Sequence, residues 1–118
     1  MESAKTYKDL QVWIYAHDLV MEVYALTKLF PDDERFGLTS QLRRASVSVP
    51  SNIAEGFSRW GSAEKVRFYN IAEASLAETD YQLYLAGELG YADTNQAQLL
   101  GKKLKGLLTN YIKSIRVN

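Results

Sequence analysis

An aromatic and cationic cluster stands out in the segment Phe57-Ser58-Arg59-Trp60, and two further cations follow it closely. Aromatic rings stack on nucleobases and cationic side chains contact phosphates, so this combination is typical of nucleic-acid contacts. Aromatic residues and arginine are also enriched where proteins contact each other. The segment therefore predicts a contact surface, for nucleic acid or for protein packing, formed by Arg59, Trp60, Lys65 and Arg67.

Charged residues are separated by sign in the last third of the chain. Between residues 73 and 93 every charged side chain is acidic, and from residue 102 onward every one is basic. Two adjacent helices with complementary surfaces are the favoured interpretation. The alternative is a basic helix that faces phosphate. In that alternative the contacts come from Lys102, Lys103, Lys105 and Lys113.

Polar side chains accompany a proline, Pro50, inside one predicted helix. An internal proline costs about 3 kcal/mol, so the fold must favour either a kink or the neighbouring polar groups. The polar residues are Gln41, Arg43, Arg44, Ser48, Asn52 and Glu55, with Ser75 and Glu78 as matching residues on the next helix. Since a buried arginine needs a carboxylate partner, we predict an Arg44–Glu78 pair, inside the bundle or between subunits. We expect Glu55 to meet another helix, and the network to fix helix register.

Motifs of catalysis and of cofactor binding are not found in the sequence. It has no cysteine, no phosphate-binding glycine loop, no dinucleotide-binding motif and no nucleophile elbow. A di-iron bundle needs histidines on two helices, and this chain has only His17. We expect His17 to pack on the apolar face of the first helix. The sequence thus predicts a protein that is not an enzyme, with no cofactor and no metal; an enzyme using carboxylates such as Glu78 is the weaker alternative.

Length and composition fit one domain, spanning residues 1–118, with 47% hydrophobic residues to form a core. The 14 basic and 14 acidic residues give a formal net charge of +0, whereas nucleic-acid binders usually carry a basic surplus. The first residues lack the apolar core of a signal peptide, and no apolar run approaches the ~20 residues of a membrane span. A cytoplasmic protein without membrane contact is expected.

Apolar residues recur at three- and four-residue steps in four segments, which predicts an all-α protein. The expected helices span approximately residues 9–29, 33–58, 62–89 and 94–117. Short connections favour an up-down-up-down antiparallel four-helix bundle, with the second helix kinked at Pro50.

Apolar faces and helix ends can be predicted in the same way. The expected core rows are Leu10, Trp13, Ile14, His17, Val20, Met21 and Tyr24; Leu38, Leu42, Ala45, Val49, Ile53 and Gly56; Val66, Tyr69, Ala72 or Ile71, Leu76, Leu83 and Leu85 or Ala86; and Ala97, Leu100, Leu104, Leu107, Leu108, Tyr111, Ile112 and Ile115. The expected caps are Asp9 and Ser62 at N-termini, Gly90 at a C-terminus, and Asp93 with Gln96 as a capping box.

The order of these residues resembles the bacterial 23S rRNA intervening-sequence protein family of small four-helix bundles. The resemblance covers nearly the whole chain, and its most specific part is the block from Phe36 to Ala45 and on through Pro50 to Gly56. Further segments that carry it are Tyr7–Trp13, Ala16-His17, Phe30-Pro31 and Glu88–Tyr91. The family's name records that some of its genes lie within insertions in rRNA genes.

The resemblance implies more than a fold. Members look like homopentamers, and their fold is similar to that of the accessory variability determinant proteins of diversity-generating retroelements. Those proteins are basic, pentameric partners of a reverse transcriptase and nucleic acid. By resemblance we expect a homo-oligomer, a pentamer, that acts as an adaptor for RNA, DNA or a nucleoprotein. A protein-interaction scaffold with no nucleic-acid role is the alternative.

Overall fold

Four long helices form the protein in the computed structural model, which describes residues 3–117 apart from the side chain of Val117. They are α1 (Gln11–Thr27), α2 (Leu38–Ser58), α3 (Ser62–Glu88) and α4 (Asn95–Val117). Short 3-10 helices, Tyr7–Asp9 and Asp32–Glu34, precede α1 and α2. Each long helix packs against two others, in the pairs α1–α2, α2–α3, α3–α4 and α1–α4. The all-α four-helix prediction is confirmed, whereas the up-down order and the kink at Pro50 stay predictions.

No helix within residues 3–117 combines the length and apolar composition that a membrane crossing requires.

The cores of α2 and α3 follow the predicted faces. Every member of the α2 row is buried, from Leu38 to Gly56. On α3 the two open alternatives are decided in favour of the smaller side chains, because Ala72 and Ala86 are buried while Ile71 is exposed. On α4 the buried residues include Ala97, Leu104, Leu108 and Ile112, and the other predicted members pack partly buried against them.

The predicted face of α1 is wrong. The buried residues are Val12, Ala16, Leu19, Val23 and Thr27. Of the predicted face, Leu10 and Trp13 pack partly buried against the core, whereas Ile14 is 43% and Met21 59% exposed. Helix α1 carries apolar residues on both sides, and the side with Val12, Leu19 and Val23 is the buried one, in a helix that packs against α2 and α4. A row of large apolar side chains is consequently left on the outside of the protein.

Helices α1 and α2 both begin later than predicted. Thr6, not Asp9, caps the first 3-10 turn, and the Asp9 carboxylate accepts from the Thr6 N–H at 3.0 Å to complete a capping box. Hydrogen bonds from the backbone N–H groups of Thr6 and Lys5 lower the pKa of Asp9. The acidic segment at residues 32–34 forms its own 3-10 turn, and α2 starts only after Gly37.

The ends of α3 rely on glycine. Gly90 has φ of +75°, a left-handed conformation that side chains other than glycine rarely adopt. The Tyr91 N–H donates to the Ala86 carbonyl and the Gly90 N–H to the Gly87 carbonyl, both at 3.0 Å, which is a Schellman motif. The predicted cap at Gly90 is confirmed. At the other end of α3 the N-cap is Gly61 rather than the predicted Ser62.

The connection from α3 to α4 is held by two side chains. The Asp93 carboxylate accepts from the Asn95 N–H at 3.1 Å, but Gln96 makes no reciprocal hydrogen bond, so the predicted capping box does not form among the described residues. The buried Thr94 hydroxyl instead donates to the Leu83 carbonyl at 2.8 Å. This contact ties the start of α4 back to α3.

The Glu34 carboxylate anchors the start of α2 to the segment after α3. One oxygen accepts from the Leu38 N–H at 3.0 Å and the other from the Tyr91 hydroxyl at 2.7 Å. These two hydrogen bonds, the backbone one first, lower the pKa of Glu34, and the same carboxylate raises the pKa of Tyr91.

Acid is expected to remove the stabilisation that Glu34 provides. Because its pKa is lower in the folded than in the unfolded protein, its contribution is present above the usual glutamate pKa of about 4.3 and is lost as pH falls through the lower folded value. Glu34→Gln should therefore lower the urea unfolding midpoint at neutral pH and differ much less from the wild type in acid. Glu22→Gln, on the exposed side of α1, is the control that should change little. A deficit of equal size at both pH values would contradict this account.

Candidate nucleic-acid interface

The connection between α2 and α3 consists of residues 59–61 and presents Trp60 to solvent. Gly61 has φ of +78°, which lets the chain turn sharply from the end of α2 into α3. Trp60 lies on this turn and is 93% exposed, more than any other large apolar side chain in the described part. An indole left in water at the end of a bundle is available to a partner.

Two arginines share one aromatic ring beside Trp60. The Arg59 guanidinium lies 4.7 Å and the Arg67 guanidinium 4.5 Å from the centre of the Phe68 ring. Cation–π contacts of this kind hold guanidinium groups in place while their edges stay in water. Arg59 and Arg67 of the predicted contact surface are therefore held on Phe68, a residue outside that predicted surface.

Each of these arginines also has a carboxylate partner. Arg59 pairs with Glu55 at 2.8 Å, and Arg67 pairs with Glu64 at 2.9 Å. The hydrogen bond between Arg67 and Glu64 raises the pKa of the arginine and lowers that of the carboxyl. All four side chains are substantially exposed, so both pairs contribute little to stability and can be exchanged for phosphate contacts. Within one chain Glu55 therefore pairs with Arg59 and not, as had been expected, with another helix, and a contact between subunits stays a prediction.

Lys65 is directed toward the protein. Its ammonium group donates to the Phe57 carbonyl at 2.7 Å and to the Gly56 carbonyl at 3.3 Å. These carbonyls lie in the last turn of α2, where a cation also interacts favourably with the helix dipole. The observed role of Lys65 is thus to cap α2, and its contact with nucleic acid stays a prediction.

The lysines of α4 divide between two sides of that helix. Lys102 and Lys105 line a cleft of about 240 Å³ with Glu73 and Asp80 of α3. On the other side Lys103 lies 5.2 Å from the Tyr15 ring of α1. The cleft fits the interpretation of complementary α3 and α4 surfaces.

Lys113 is exposed near the C-terminus of α4. Close by in the sequence, Tyr111 packs on Tyr69 of α3 at 5.2 Å between ring centres.

Of the predicted contact residues, the structure brings Arg59, Trp60 and Arg67 together at one site. Lys102, Lys103 and Lys105 lie along the bundle instead.

The polar residues of α2 form a short network with α3. The Ser75 hydroxyl donates to the Ser48 hydroxyl at 2.8 Å, and the Asn52 amide donates to the Ser48 carbonyl at 2.8 Å and to its hydroxyl at 3.0 Å. These residues are half-buried, whereas Gln41, Arg44, Glu55 and Glu78 are exposed. Within one chain the row therefore lies at the surface of the bundle and not in its core, and Ser48 is the member that bonds to α3.

The two adjacent arginines of α2 have different surroundings. Arg43 donates from Nε to the Thr27 hydroxyl at 2.8 Å and stacks on the Tyr24 ring at 4.6 Å. Arg44 is exposed, and the only ion pairs among residues 3–117 are the two beside Phe68. The predicted Arg44–Glu78 pair is consequently wrong inside the bundle, and its version between subunits stays a prediction.

His17 is exposed and stacks on Trp13 with 5.1 Å between ring centres and 5° between planes. His17 thus packs on the apolar row in which it was predicted, but that row is not the buried face of α1. Among residues 3–117 no three His, Cys, Asp or Glu side chains come close enough to hold a metal ion.

Comparison with known proteins identifies similar sequences and folds. The family described as 23S rRNA-intervening sequence protein matches residues 8–112. A crystal structure of a protein of unknown function from the S23 ribosomal protein family of Bacteroides thetaiotaomicron has the same fold, with a TM-score of 0.78 and 24% identity. That match covers 86% of this chain and 98% of the other. No curated protein matches the sequence.

Proposed function

The chain belongs to the 23S rRNA-intervening sequence protein family, and from this premise we propose that it is a non-catalytic, oligomeric adaptor that binds structured nucleic acid or a nucleoprotein. The observation that carries the proposal is the exposed Trp60 beside the paired guanidinium groups of Arg59 and Arg67. An aromatic ring for stacking and cations for phosphate are the two elements of sequence-tolerant nucleic-acid binding.

Binding by this surface works by exchange of partners. A phosphate that approaches Arg59 or Arg67 replaces an exposed carboxylate, Glu55 or Glu64, so few new side-chain rotamers need to be fixed. One such site is weak in a chain whose formal net charge is +0. Identical sites on several subunits raise the effective concentration of each for one nucleic acid, which converts weak sites into useful affinity.

The oligomer belongs to the same proposal. We take it to be a homopentamer, as the resemblance to the family and to the accessory variability determinant proteins implies. The outward row of α1, which includes Ile14, Met21 and Tyr24, supports association because large apolar side chains are exposed side by side on one helix. The cytoplasmic location stays a prediction.

Replacing Trp60 by alanine is the direct test of the binding surface. Since stacking on an aromatic side chain contributes roughly 1–3 kcal/mol per base, Trp60→Ala should weaken binding of a structured RNA by roughly 5- to 100-fold. Fluorescence anisotropy at physiological salt measures this change. Tyr81→Ala removes another exposed aromatic side chain, from the middle of α3, and is the matched control.

The two variants separate the possible results. Because Trp60 has almost no buried surface, its loss should leave the thermal unfolding midpoint unchanged. Equal RNA affinity of Trp60→Ala, Tyr81→Ala and the wild type would contradict the assignment of the surface.

A protein-interaction scaffold is the second candidate, favoured by the same outward row of α1. An apolar interface of that kind buries apolar surface and does not displace counterions, so its affinity changes little with salt. Binding to phosphates falls steeply as salt is added. Salt dependence of partner binding therefore distinguishes the two functions.

A further inference from the structure

A cleft at the start of α2 combines positive charge with exposed aromatic rings, at the opposite end of α2 from Trp60. It is an open cleft of about 490 Å³ between α1 and α2. At 1.5 Å per residue, α2 is about 30 Å long, so this cleft and the Phe68 site are distinct. The cleft is lined by Tyr24, Arg35, Phe36, Thr39, Ser40, Arg43, Arg44 and Val47.

Three arginine side chains line this cleft, and none of the side chains that line it is acidic. Both ion pairs of residues 3–117 lie at the other end of α2, so Arg35, Arg43 and Arg44 have no carboxylate partner in the described part of the chain. Arg43 uses its Nε for Thr27 and leaves both terminal nitrogens free to donate. Three unpaired arginines in one concave site form a strong binding site for an anion with several oxygens.

The acidic residue directly before Arg35 is engaged elsewhere. Glu34 lies in the turn before α2, but its two oxygens accept from the Leu38 N–H and the Tyr91 hydroxyl. The Thr39 and Ser40 hydroxyls, which line the cleft, donate to no other group of the described chain. They add neutral donors beside the guanidinium groups.

Exposed aromatic rings accompany the charge. Phe36 is 89% exposed, and the Arg35 guanidinium lies 5.4 Å from the centre of its ring. A phosphate ion alone would need only the arginines. A ring that is so largely exposed beside them matches a ligand that carries a planar base next to its phosphate.

We propose that this cleft binds an unpaired nucleotide of the bound nucleic acid, with its phosphate on Arg35, Arg43 and Arg44 and its base stacked on Phe36. The inference rests on the proposed function and extends it, because it assigns the recognition of single-stranded loops to a second site. Structured RNA offers such nucleotides in hairpin loops, where bases are free to stack on a protein. The α2–α3 connection and the cleft then contact one nucleic acid at two points.

The test compares an RNA hairpin that has a single-stranded loop with a blunt duplex of the same stem, at physiological salt. Arg44→Gln and Phe36→Ala are suitable variants, since both side chains are exposed and neither makes a hydrogen bond within the described part of the chain. Arg116→Gln and Leu99→Ala, both exposed on α4, are the matched controls. Phe36→Ala should weaken hairpin binding roughly 5- to 100-fold and leave duplex binding unchanged. Arg44→Gln should weaken hairpin binding and reduce the salt slope by about 1 per bound site.

Each other result has a defined meaning. If both cleft variants bind the hairpin as the wild type does while Trp60→Ala does not, the cleft assignment is overturned and the proposed function survives. If the wild type binds neither RNA, both proposals fail. If a cleft variant changes the oligomeric mass in sedimentation, the cleft is a contact between subunits and the inference is overturned.

Discussion

Leu104→Ala is expected to lower the free energy of unfolding by about 2–5 kcal/mol. Leu104 lies on α4 with no exposed surface, and its removal leaves a cavity that the surrounding core closes only in part. Leu99→Ala is the matched control, because it makes the same substitution on the same helix at a side chain that is 61% exposed. That variant should stay within about 0.5 kcal/mol of the wild type.

Urea unfolding followed by circular dichroism measures both variants. A shift of the midpoint without a change in slope identifies a pure stability effect. Equal losses for the two leucines would mean that α4 does not face the core as described.

Gly56→Ala should destabilise the protein by about 1–3 kcal/mol even though alanine is the better helix former. A Cβ added at Gly56 would lie 2.5 Å from Cε1 of Tyr69, whose ring is fully buried. Burial, with the Tyr111 phenol nearby, also raises the pKa of Tyr69. Because the Tyr69 ring is fully buried, it has no room to move away from an added methyl group, and the last turn of α2 must shift instead.

Gly106→Ala is the control, and its expected change in stability has the opposite sign. It lies inside α4, and a Cβ there would meet nothing within 4 Å. Only the higher helix propensity of alanine then matters, and the free energy of unfolding should rise by about 0.5–1 kcal/mol. If Gly56→Ala also gained stability, the close packing of α2 on Tyr69 would be contradicted.

The contrast between α2 and α1 explains how far sequence periodicity predicts this fold. In α2 the apolar residues from Leu38 to Gly56 lie on one side and polar residues on the other, so a 3.6-residue period has one solution. In α1 both Val12–Val23 and Ile14–Tyr24 form acceptable apolar rows. Only packing against α2 and α4 selects the first, and that information lies outside the helix.

The candidate site was predictable in composition but not in detail. The segment from Phe57 to Trp60 has the residue types of a contact surface, and its position between two helices placed it at an end of the bundle. The role of Phe68 depends on the turn that Gly61 allows, which brings Arg59 back over the ring. Likewise, the acidic residues 32–34 were predicted to begin α2, although they form a separate turn. The sequence therefore did not indicate that Arg35 and Phe36 lie in one cleft with Arg44.

The most direct test of the account is a salt titration of wild-type binding to a structured RNA and to duplex DNA. We predict binding that persists at physiological salt, with the logarithm of the affinity falling steeply and linearly with that of salt. The slope should be smaller in Arg59→Ala and in Arg67→Ala, because each variant removes a phosphate contact at the proposed site. Weak association seen only at low salt would contradict a nucleic-acid adaptor and favour the protein scaffold.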